Sequence, residues 1–250
     1  MVTIQKNNTR FDLSDSGNTR WFENNLTNGN WENGTFKIVD LFAHKSKYLI
    51  DIGAWLGPIT LYSSDKYEHI YAFECDTSAY TEISNNIAAN NFRNITLSNK
   101  GISNKTGIST MIDRGAMGNS TSSILGSALN ENIGYSNKWE VNTITLEKYI
   151  SDIKLDTNKI NLIKMDIEGG EYDAIEGMVN YLKESKPNLL ISLHYHLLKA
   201  DRLEELIVIL FDIYDFVYTD TLKLISKEEL IKVIPHTSHT IDILLTSRAI

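Results

Sequence analysis

The sequence is poor in cysteine and proline, with one and three among its 250 residues, and it has no long apolar run. The lone cysteine, Cys75, excludes an internal disulfide and a zinc site built from cysteines. No stretch approaches the roughly 20 apolar residues that a membrane-spanning helix needs. The start of the chain is polar and lacks the apolar region of a secretory signal, so we expect a cytoplasmic protein.

Positive charge is also in short supply. The chain has 24 Lys and Arg against 32 Asp and Glu, which gives a net charge of −8 and a pI near 5.3. Because binding to nucleic acid requires a basic surface, this balance argues against a nucleic-acid partner. The hydrophobic content of 42% is ordinary for a globular protein, and the length suits one large α/β domain or two small ones.

The most informative stretch is a strand, turn and helix pattern in residues 48–62. An apolar run ends at Gly53, and Pro58 suits the first position of a helix. The D-x-G-x-x-x-G spacing of Asp51, Gly53 and Gly57 predicts a turn that presents backbone N–H groups to a cofactor. The plain alternative is an ordinary strand end, since short glycine motifs are often false positives.

Two residues of this turn indicate which cofactor it suits. Trp55 stands where a dinucleotide-binding turn has its second glycine, and its side chain would obstruct a pyrophosphate. The Asp51 carboxylate would repel a diphosphate but suits a cationic ligand. S-adenosylmethionine carries a sulfonium and an ammonium, so the turn favours this methyl donor over a nicotinamide dinucleotide.

A second acid strengthens the prediction of a cofactor site. The apolar run His69–Phe73 ends in Glu74, which follows Gly53 at about the spacing of 20 residues at which an acid meets a ribose. Two signals at this separation are stronger than either alone.

The rest of the chain alternates between strand-like and helical patterns. This alternation predicts an α/β fold with a mostly parallel sheet covered on both faces, and with the last strand antiparallel. Residues 1–20 indicate a flexible or loosely packed start, and the pattern weakens in residues 103–142. The predicted strands after the turn are 69–74, 95–98, 160–166, 189–193, 215–218 and 240–245.

Ligands in parallel sheets bind outside the carboxyl ends of the strands. Each of five residues follows a predicted strand, so we expect all five on one rim of the sheet. They are Asp51, Glu74, Gly101, Asp166 and His194.

Several longer motifs carry a more specific signal. They are Asp51–Gly57, Ala72–Glu74, Asn85–Asn90, Thr143–Glu147, Leu162–Glu171 and Pro187–His194. Together they cover about residues 30–247 and resemble the FkbM-type S-adenosylmethionine-dependent methyltransferases, the Lys-x-Asp-x-Glu-Gly-x-Glu block being the most specific of them. The chain departs from the family at Cys75, where proline is usual, and at Ser192, where a Glu is usual.

The resemblance implies a Rossmann-like, seven-stranded class I methyltransferase fold. It implies O-methylation of a hydroxyl on a small molecule or glycan, with a sugar-type acceptor favoured. It also implies one methyltransferase domain over residues 1–250, with 1–46 as an N-terminal extension or lid and 47–247 as the catalytic core. A nicotinamide-dependent oxidoreductase and a non-catalytic nucleotide-binding module on the same fold are the alternatives.

Two groups of residues are predicted to form the site. A positioned base that takes a proton from an alcohol contributes about 10²–10⁴ in rate. The candidates for that base are Asp166, Glu168 and His194, with Asp166 first because the fourth strand end faces the methyl group in this family. The predicted cofactor contacts are Asp51, Gly53, Ala54, Trp55, Gly57, Glu74, Cys75 and Gly101.

Neighbouring residues have simpler expected roles. Lys164 is expected to pair with a carboxylate, Glu171 to be a first-turn helix charge, and His196 to lie at the surface. The three base candidates could instead hold Mg²⁺, although nothing in their spacing demands a metal.

The segment 115–123 is rich in glycine and serine. Such a segment after a strand either forms part of a binding site or is a surface excursion. We expect it to form the acceptor pocket together with residues near Trp31.

Overall fold

A computed structural model describes residues 1–14, 23–26, 31–115, 118, 120–130, 132, 134–234 and 240–250. The strands are β1 (Val2–Lys6), β2 (Thr9–Leu13), β3 (Tyr48–Ile52), β4 (His69–Phe73), β5 (Ile95–Ser98), β6 (Gly101–Ile102), β7 (Gly107–Asp113), β8 (Ser123–Ile124), β9 (Asn137–Ile144), β10 (Ile160–Met165), β11 (Asn188–Leu193), β12 (Phe216–Thr219) and β13 (Ile241–Thr246). The helices are α1 (Asn33–Leu41), α2 (Pro58–Tyr62), α3 (Thr77–Ala89), α4 (Leu146–Ile153), α5 (Glu171–Glu176), α6 (Val179–Ser185), α7 (Ala200–Ile213) and α8 (Lys227–Val233).

Seven strands form the central sheet in the order β12, β13, β11, β10, β3, β4, β5. The five strands from β11 to β5 are parallel, whereas β13 runs antiparallel to both β11 and β12. The predicted α/β fold, with a mostly parallel sheet and an antiparallel last strand, is therefore confirmed. Because β13 lies beside β11 and runs antiparallel to it, with Ile241 opposite Leu193, the start of β13 reaches the rim next to the carboxyl end of β11.

The central strands are buried on both faces, as expected for a parallel sheet covered by helices. Successive residues point to opposite faces, so Leu49 and Ile50 of β3 belong to different apolar clusters. One cluster contains residues of α4 to α8, and the other contains residues of α1, α2 and the β1–β2 hairpin. Helices on both faces leave the carboxyl ends of the strands as the accessible edge of the sheet.

A second, four-stranded sheet lies in the region where the sequence pattern weakens. Its order is β6, β9, β7, β8, and β7 pairs with β9 in an antiparallel register from Gly107↔Thr143 to Asp113↔Asn137. The sequence did not predict this sheet. Its strands are largely polar on their exposed side, and strand preference depends on the pairing partner more than on the residue itself.

Residues 1–14 form a paired hairpin with buried Ile4, Phe11 and Leu13, so the expectation of a flexible or loosely packed start is wrong for these residues. Strands β1 and β2 form a hairpin with the left-handed Asn7 in its turn. The backbone N–H groups of Asp12 and Ser14 donate to the side-chain oxygens of Asn90 and Asn86 on α3, at 2.8 and 2.7 Å. These bonds fasten the hairpin to the sheet's helical layer.

One helix near the end of the chain was also missed. Helix α8 lies between β12 and β13, and Ser226 caps it in a capping box with Glu229. Among the described residues, no helix combines the length and the apolar character needed to cross a membrane.

Candidate active site

A cavity of about 280 Å³ opens at the carboxyl ends of β3, β4, β10 and β11. We distinguish two parts by the residues that line them. The turn end consists of Gly53, Ala54, Trp55, Glu74, Cys75 and Gly101. The acidic end consists of Glu32, Lys164, Asp166, Glu168, His194 and Asp242. Nine of the eleven predicted site residues therefore line one cavity, and the other two, Asp51 and Gly57, do not.

Gly53 allows the main chain to turn tightly after β3. Its φ is +80°, and the N–H groups of Gly53 and Ala54 both donate to the carbonyl of Phe73 at 3.0 Å. A Cβ atom on Gly53 would lie 1.9 Å from the carbonyl oxygen of Asp166. Both the left-handed backbone and this close approach therefore require glycine.

Gly57 has a packing role outside the cavity. It has φ +94° and precedes Pro58, the first residue of α2. A Cβ atom here would lie 2.7 Å from the side chain of Ile83 on α3. Gly57 thus lets α2 and α3 pack closely beneath the turn.

Asp51 lies behind the cavity wall, where it is fully buried. Its Oδ2 accepts a hydrogen bond from the Thr60 hydroxyl at 2.6 Å, and its Oδ1 lies 3.6 Å from the Lys164 ammonium. Burial raises the pKa of Asp51, while Lys164 and the Thr60 hydrogen bond oppose the rise. Oδ1 has no hydrogen-bond partner among the described residues. Asp51 therefore contributes a charge close to the cavity without forming its surface.

Glu74 is held by the main chain at the turn end and is 8% exposed. Its Oε2 accepts from the N–H of Trp55 at 2.9 Å, and its Oε1 accepts from the N–H of Asp76 at 2.8 Å. Burial raises the pKa of Glu74 to about 7, although these two bonds favour the charged form. A carboxylate oxygen has two lone pairs, so Glu74 retains capacity to accept from a bound hydroxyl.

Cys75 and Gly101 form an apolar part of the same end. The Cys75 Sγ lies 3.7 Å from the sulfur of Met111, and burial raises the pKa of the thiol well above its ordinary value. The thiol therefore stays protonated. A Cβ atom on Gly101, in β6, would lie 2.4 Å from Ile124 of β8, so glycine lets these two strands of the second sheet come close together beside Cys75.

The described part of the 115–123 segment covers the turn end. The indole N–H of Trp55 donates to the carbonyl of Gly118 at 3.0 Å, and the N–H of Gly118 donates to Asp76 at 2.8 Å. Ser120 and Ser122 line the cavity, as does Trp31. Residues 116, 117 and 119 lie outside the described residues. The expectation linked this segment to the acceptor, whereas these contacts link it to the predicted cofactor turn.

His194 is the centre of the acidic end and is surrounded by carboxylates. Its Nδ1 lies 2.7 Å from Glu171, and its Nε2 lies 3.3 Å from Glu168 and 3.5 Å from Asp166. Burial alone would lower the pKa of His194, but Glu171, Glu168 and Asp166 together raise it well above its ordinary value. A doubly protonated imidazole donates from both nitrogens and has no lone pair with which to accept a proton.

The two neighbouring glutamates differ in their partners. Glu171 begins α5 as expected, but it is fully buried and also lies within reach of the N–H groups of Ile167 and Gly169, so it is more than a first-turn charge. Glu168 has a left-handed backbone with φ +55° and forms an ion pair with Arg114 at 2.8 Å. Glu171 orients the histidine, and Arg114 neutralises Glu168.

Lys164 joins the two ends of the cavity. It is 5% exposed, and its ammonium donates to the carbonyl of Gly53 at 3.1 Å. It lies 3.6 Å from Asp51 and 3.7 Å from Asp166, which confirms the expected pairing with carboxylates. Burial would lower its pKa, but Asp51 and Asp166 outweigh burial and raise it. His196 is exposed, as expected.

The sequence missed two carboxylates of the acidic end. Glu32 directly precedes α1 with φ +43°, and burial followed by the charge of Asp166 raises its pKa to about 8. Asp242 lies opposite Ser192 in the β11–β13 register and accepts a hydrogen bond from it. Burial raises the pKa of Asp242 as well. Neither residue belongs to a motif. The sequence signal that could have pointed to Asp242 is its cross-strand neighbour Ser192, which stands where the family usually has Glu.

The acidic end also has the arrangement of a metal site. One ligand atom from each of Asp166, Glu168 and His194 lies within 4.8 Å of the other two. Two carboxylates and an imidazole are suitable ligands for a divalent cation. The positive charges of Lys164 and Arg114 already lie beside the two carboxylates, however, and would oppose a metal ion.

Comparison with protein families gives one match. The family model described as the methyltransferase FkbM domain matches residues 40–220. A comparison with curated protein sequences gives no match.

Comparison with solved structures gives mostly proteins named as methyltransferases or methylases. The methyltransferase FkbM from Methylobacillus flagellatus KT is 19% identical with a TM-score of 0.50, and the match covers 80% of this chain and 44% of that protein. An rRNA methylase from Streptococcus thermophilus is 13% identical, with a TM-score of 0.46 and coverage of 86% and 95%. A Streptococcus mutans protein in complex with S-adenosylhomocysteine is 12% identical, with a TM-score of 0.46 and coverage of 85% and 94%. At 19% identity, the likeness to the first of these structures shows the fold alone.

Proposed function

The chain belongs to the FkbM methyltransferase family, an S-adenosylmethionine-dependent family, and on that premise we propose that it O-methylates a hydroxyl of a small molecule or glycan, with a sugar-type acceptor favoured. The observation that carries this proposal is the meeting of two chemically different ends in one cavity. A ligand held at the turn end would present a reactive group to the carboxylates of the acidic end. Alignment of two reactants in this way supplies much of the rate when the donor is already activated.

The turn end is proposed to hold S-adenosylmethionine, which supplies an activated methyl group when bound. Glu74 is the proposed acceptor for the ribose hydroxyls, because backbone N–H groups fix both of its oxygens. Gly53 and Ala54 would bring the main chain close to the ligand, while Trp55, Cys75 and Gly101 line its sides. Asp51 and Gly57 would support the site without contacting the ligand. Asp51 would hold the Lys164 ammonium in place from behind the cavity lining, and Gly57 would allow α2 to pack against α3.

Asp166 is the proposed base among the three candidates. His194 carries its proton already, and Glu168 is paired with Arg114 at hydrogen-bond distance. The neighbours of Asp166 are more distant, with Lys164 at 3.7 Å and His194 at 3.5 Å. Its carboxylate is therefore the most available of the three to accept a proton from a hydroxyl. In this assignment His194 and Lys164 are positioning residues.

Two measurements test the proposal in sequence. Titration calorimetry with S-adenosylhomocysteine, S-adenosylmethionine and NAD should show binding of the first two and no binding of NAD. Release of S-adenosylhomocysteine is then measured against a panel of sugars, glycans and small hydroxyl compounds, with an RNA arm. NAD binding alone would support the oxidoreductase alternative. Cofactor binding with methylation of RNA alone would overturn the small-molecule acceptor.

The alternative mechanism is catalysis assisted by a bound Mg²⁺ ion. One observation favours it, because three possible ligand atoms lie close together. Asp166, Glu168 and His194 would hold the ion, which would lower the pKa of a bound hydroxyl. Turnover that EDTA abolishes and Mg²⁺ restores would support this arrangement. Turnover unchanged by EDTA would leave Asp166 as the base.

A further inference from the structure

The acidic end contains two carboxylates that the proposed mechanism does not use. Glu32 comes from the segment before α1, and Asp242 comes from the last strand, β13. Both line the cavity, and their charges interact with each other and with Asp166. Two separate segments of the chain thus place acids at one point of the cavity.

Their position in the sheet shows which ligand they face. The turn end follows β3, and β13 is three places away across β10 and β11. Neighbouring strands are about 4.8 Å apart, so Asp242 lies roughly 14 Å from the strand of the turn. Asp166 lies between them, at the end of β10. Asp242 is therefore on the far side of the proposed base from the cofactor, which is the side of the acceptor. The charge of Glu32 interacts with those of both Asp166 and Asp242, so Glu32 belongs to the same end of the cavity.

The protein itself does little to neutralise these acids. Glu32 is half-buried at the cavity, it makes no capping bond to α1, and no hydrogen bond is among the causes of its raised pKa. Asp242 accepts from the Ser192 hydroxyl, which carries no charge. The nearest ammonium, that of Lys164, already lies between Asp51 and Asp166.

The balance of charge at this end favours a cationic ligand. The acidic end has four carboxyl groups against the Lys164 ammonium and the His194 imidazolium, and Arg114 pairs with one of the four, Glu168. Burial raises the pKa of both Glu32 and Asp242, so each tends to retain a proton in the absence of a better partner. A ligand ammonium would replace those protons. Trp31 lines the cavity beside Glu32, and an indole face is a favourable neighbour for an organic cation.

We propose that Glu32 and Asp242 bind a protonated amine of the acceptor, so that the acceptor is an amino-bearing hydroxyl compound such as an amino sugar. This inference rests on the proposed function and narrows its acceptor class. The amine fixes the acceptor from the far side of Asp166 and leaves a neighbouring hydroxyl facing the base. A neutral polyol, which could also donate hydrogen bonds to the carboxylates, is the competing class.

The test compares three sugars that differ at one group, on protein saturated with S-adenosylhomocysteine. The probes are glucosamine, its neutral amide N-acetylglucosamine, and glucose, at equal ionic strength, with affinity measured by calorimetry or ligand-observed NMR. We expect glucosamine to bind at least about tenfold more tightly than the other two. The variants Glu32→Gln and Asp242→Asn should each reduce this preference severalfold. Lys37→Ala, an exposed change on α1, is the control and should keep it.

Each outcome decides between the classes. Equal binding of the three sugars, or no binding of glucosamine to the wild type, overturns the amine site. A preference that persists in both acid variants also overturns it. S-adenosylhomocysteine affinity is measured first in every variant, so failure of the amine site with cofactor binding intact is distinct from failure of the proposed function. Retained cofactor affinity also shows that the variants are folded.

Discussion

The two ends of the cavity are built in different ways. At the turn end the main chain sets the shape, because Gly53 has a positive φ and two backbone N–H groups hold Glu74. At the acidic end, side-chain charges from distant segments dominate, among them Glu32 and Asp242. Because of this difference, we expect the turn end to be most sensitive to a substitution that adds a side-chain carbon to a glycine. We expect the acidic end to be most sensitive to a substitution that removes a charge.

The strongest way to break the turn end is Gly53→Ala. The new Cβ would overlap the Asp166 carbonyl and would force alanine into a left-handed conformation. Together these effects should lower the free energy of unfolding by roughly 3 kcal/mol or more. Urea unfolding followed by circular dichroism measures this. The control is Gly134→Ala, whose Cβ would meet nothing within 4 Å. A Gly53 variant as stable as the control would show that the turn can rearrange.

The corresponding change at the acidic end is Asp166→Asn, which keeps the shape of the side chain and removes its charge. If Asp166 is the base, turnover should fall by at least about a hundredfold while the affinity for S-adenosylhomocysteine changes little. Single-turnover methyl transfer and calorimetry measure the two effects. Asp212→Asn, at an exposed position, is the control. Full activity in the Asp166 variant would show that Asp166 is not the base and that another residue of the acidic end takes the proton.

Glu74→Ala tests the carboxylate that the main chain holds at the turn end. Loss of its hydrogen bonds should weaken S-adenosylhomocysteine binding by about 1.5–3 kcal/mol, and the exposed Glu140→Ala should have no effect. Because the pKa of Glu74 is raised to about 7, the carboxylate forms mainly above that pH. Wild-type affinity should therefore rise between pH 6 and pH 8, and the variant should lack this rise. Unchanged affinity would remove Glu74 from the site.

The smallest expected effect is on the pH dependence of stability, through Glu32 of the acidic end. The pKa of Glu32 is about 8 in the folded state and about 4.3 in the unfolded chain, so the folded state holds a proton that the unfolded state has lost between these values. Stability therefore falls as pH rises through this window. Because Glu32 is only half-buried, solvent and Lys164 reduce this loss well below what the full pKa difference would give, to about 1 kcal/mol at pH 8. Glu32→Gln removes that loss and should raise the melting temperature at pH 8 by about 2–4 °C, with little change near pH 5. A lower melting temperature at pH 8 would show that the carboxylate is a structural partner of Lys164.

The turn end could be predicted from sequence because its parts follow one another closely. The apolar strand, Gly53, Pro58 and the acid at Glu74 lie in one short segment, and each has a local physical reason for its position. The rule that ligands bind at the carboxyl ends of parallel strands predicted that Asp166 and His194 lie at the same edge of the sheet. Both residues do line the cavity. Local geometry and strand direction are enough for this part of the site.

The rest depends on pairings between distant residues. The second sheet joins Gly107 to Thr143, and no local pattern shows that partnership. Asp242 reaches the rim because β13 inserts between β11 and β12, and Glu32 reaches it through the packing of α1. The motif predicted that Asp51 lines the site. Asp51 is instead buried behind Gly53, where the side chains of Thr60 and Lys164 are its partners. Such features follow from tertiary packing.

Glu32 and Asp242 both lie outside residues 40–220, the part of the chain that the family model matches, whereas the whole turn end lies inside it. Under the proposed function, donor binding is inherited with the shared core, and acceptor choice is carried by the two flanks. Such a division is modular. We therefore expect that exchanging the flanks for those of another family member would change what is methylated, while the core would continue to bind the same methyl donor.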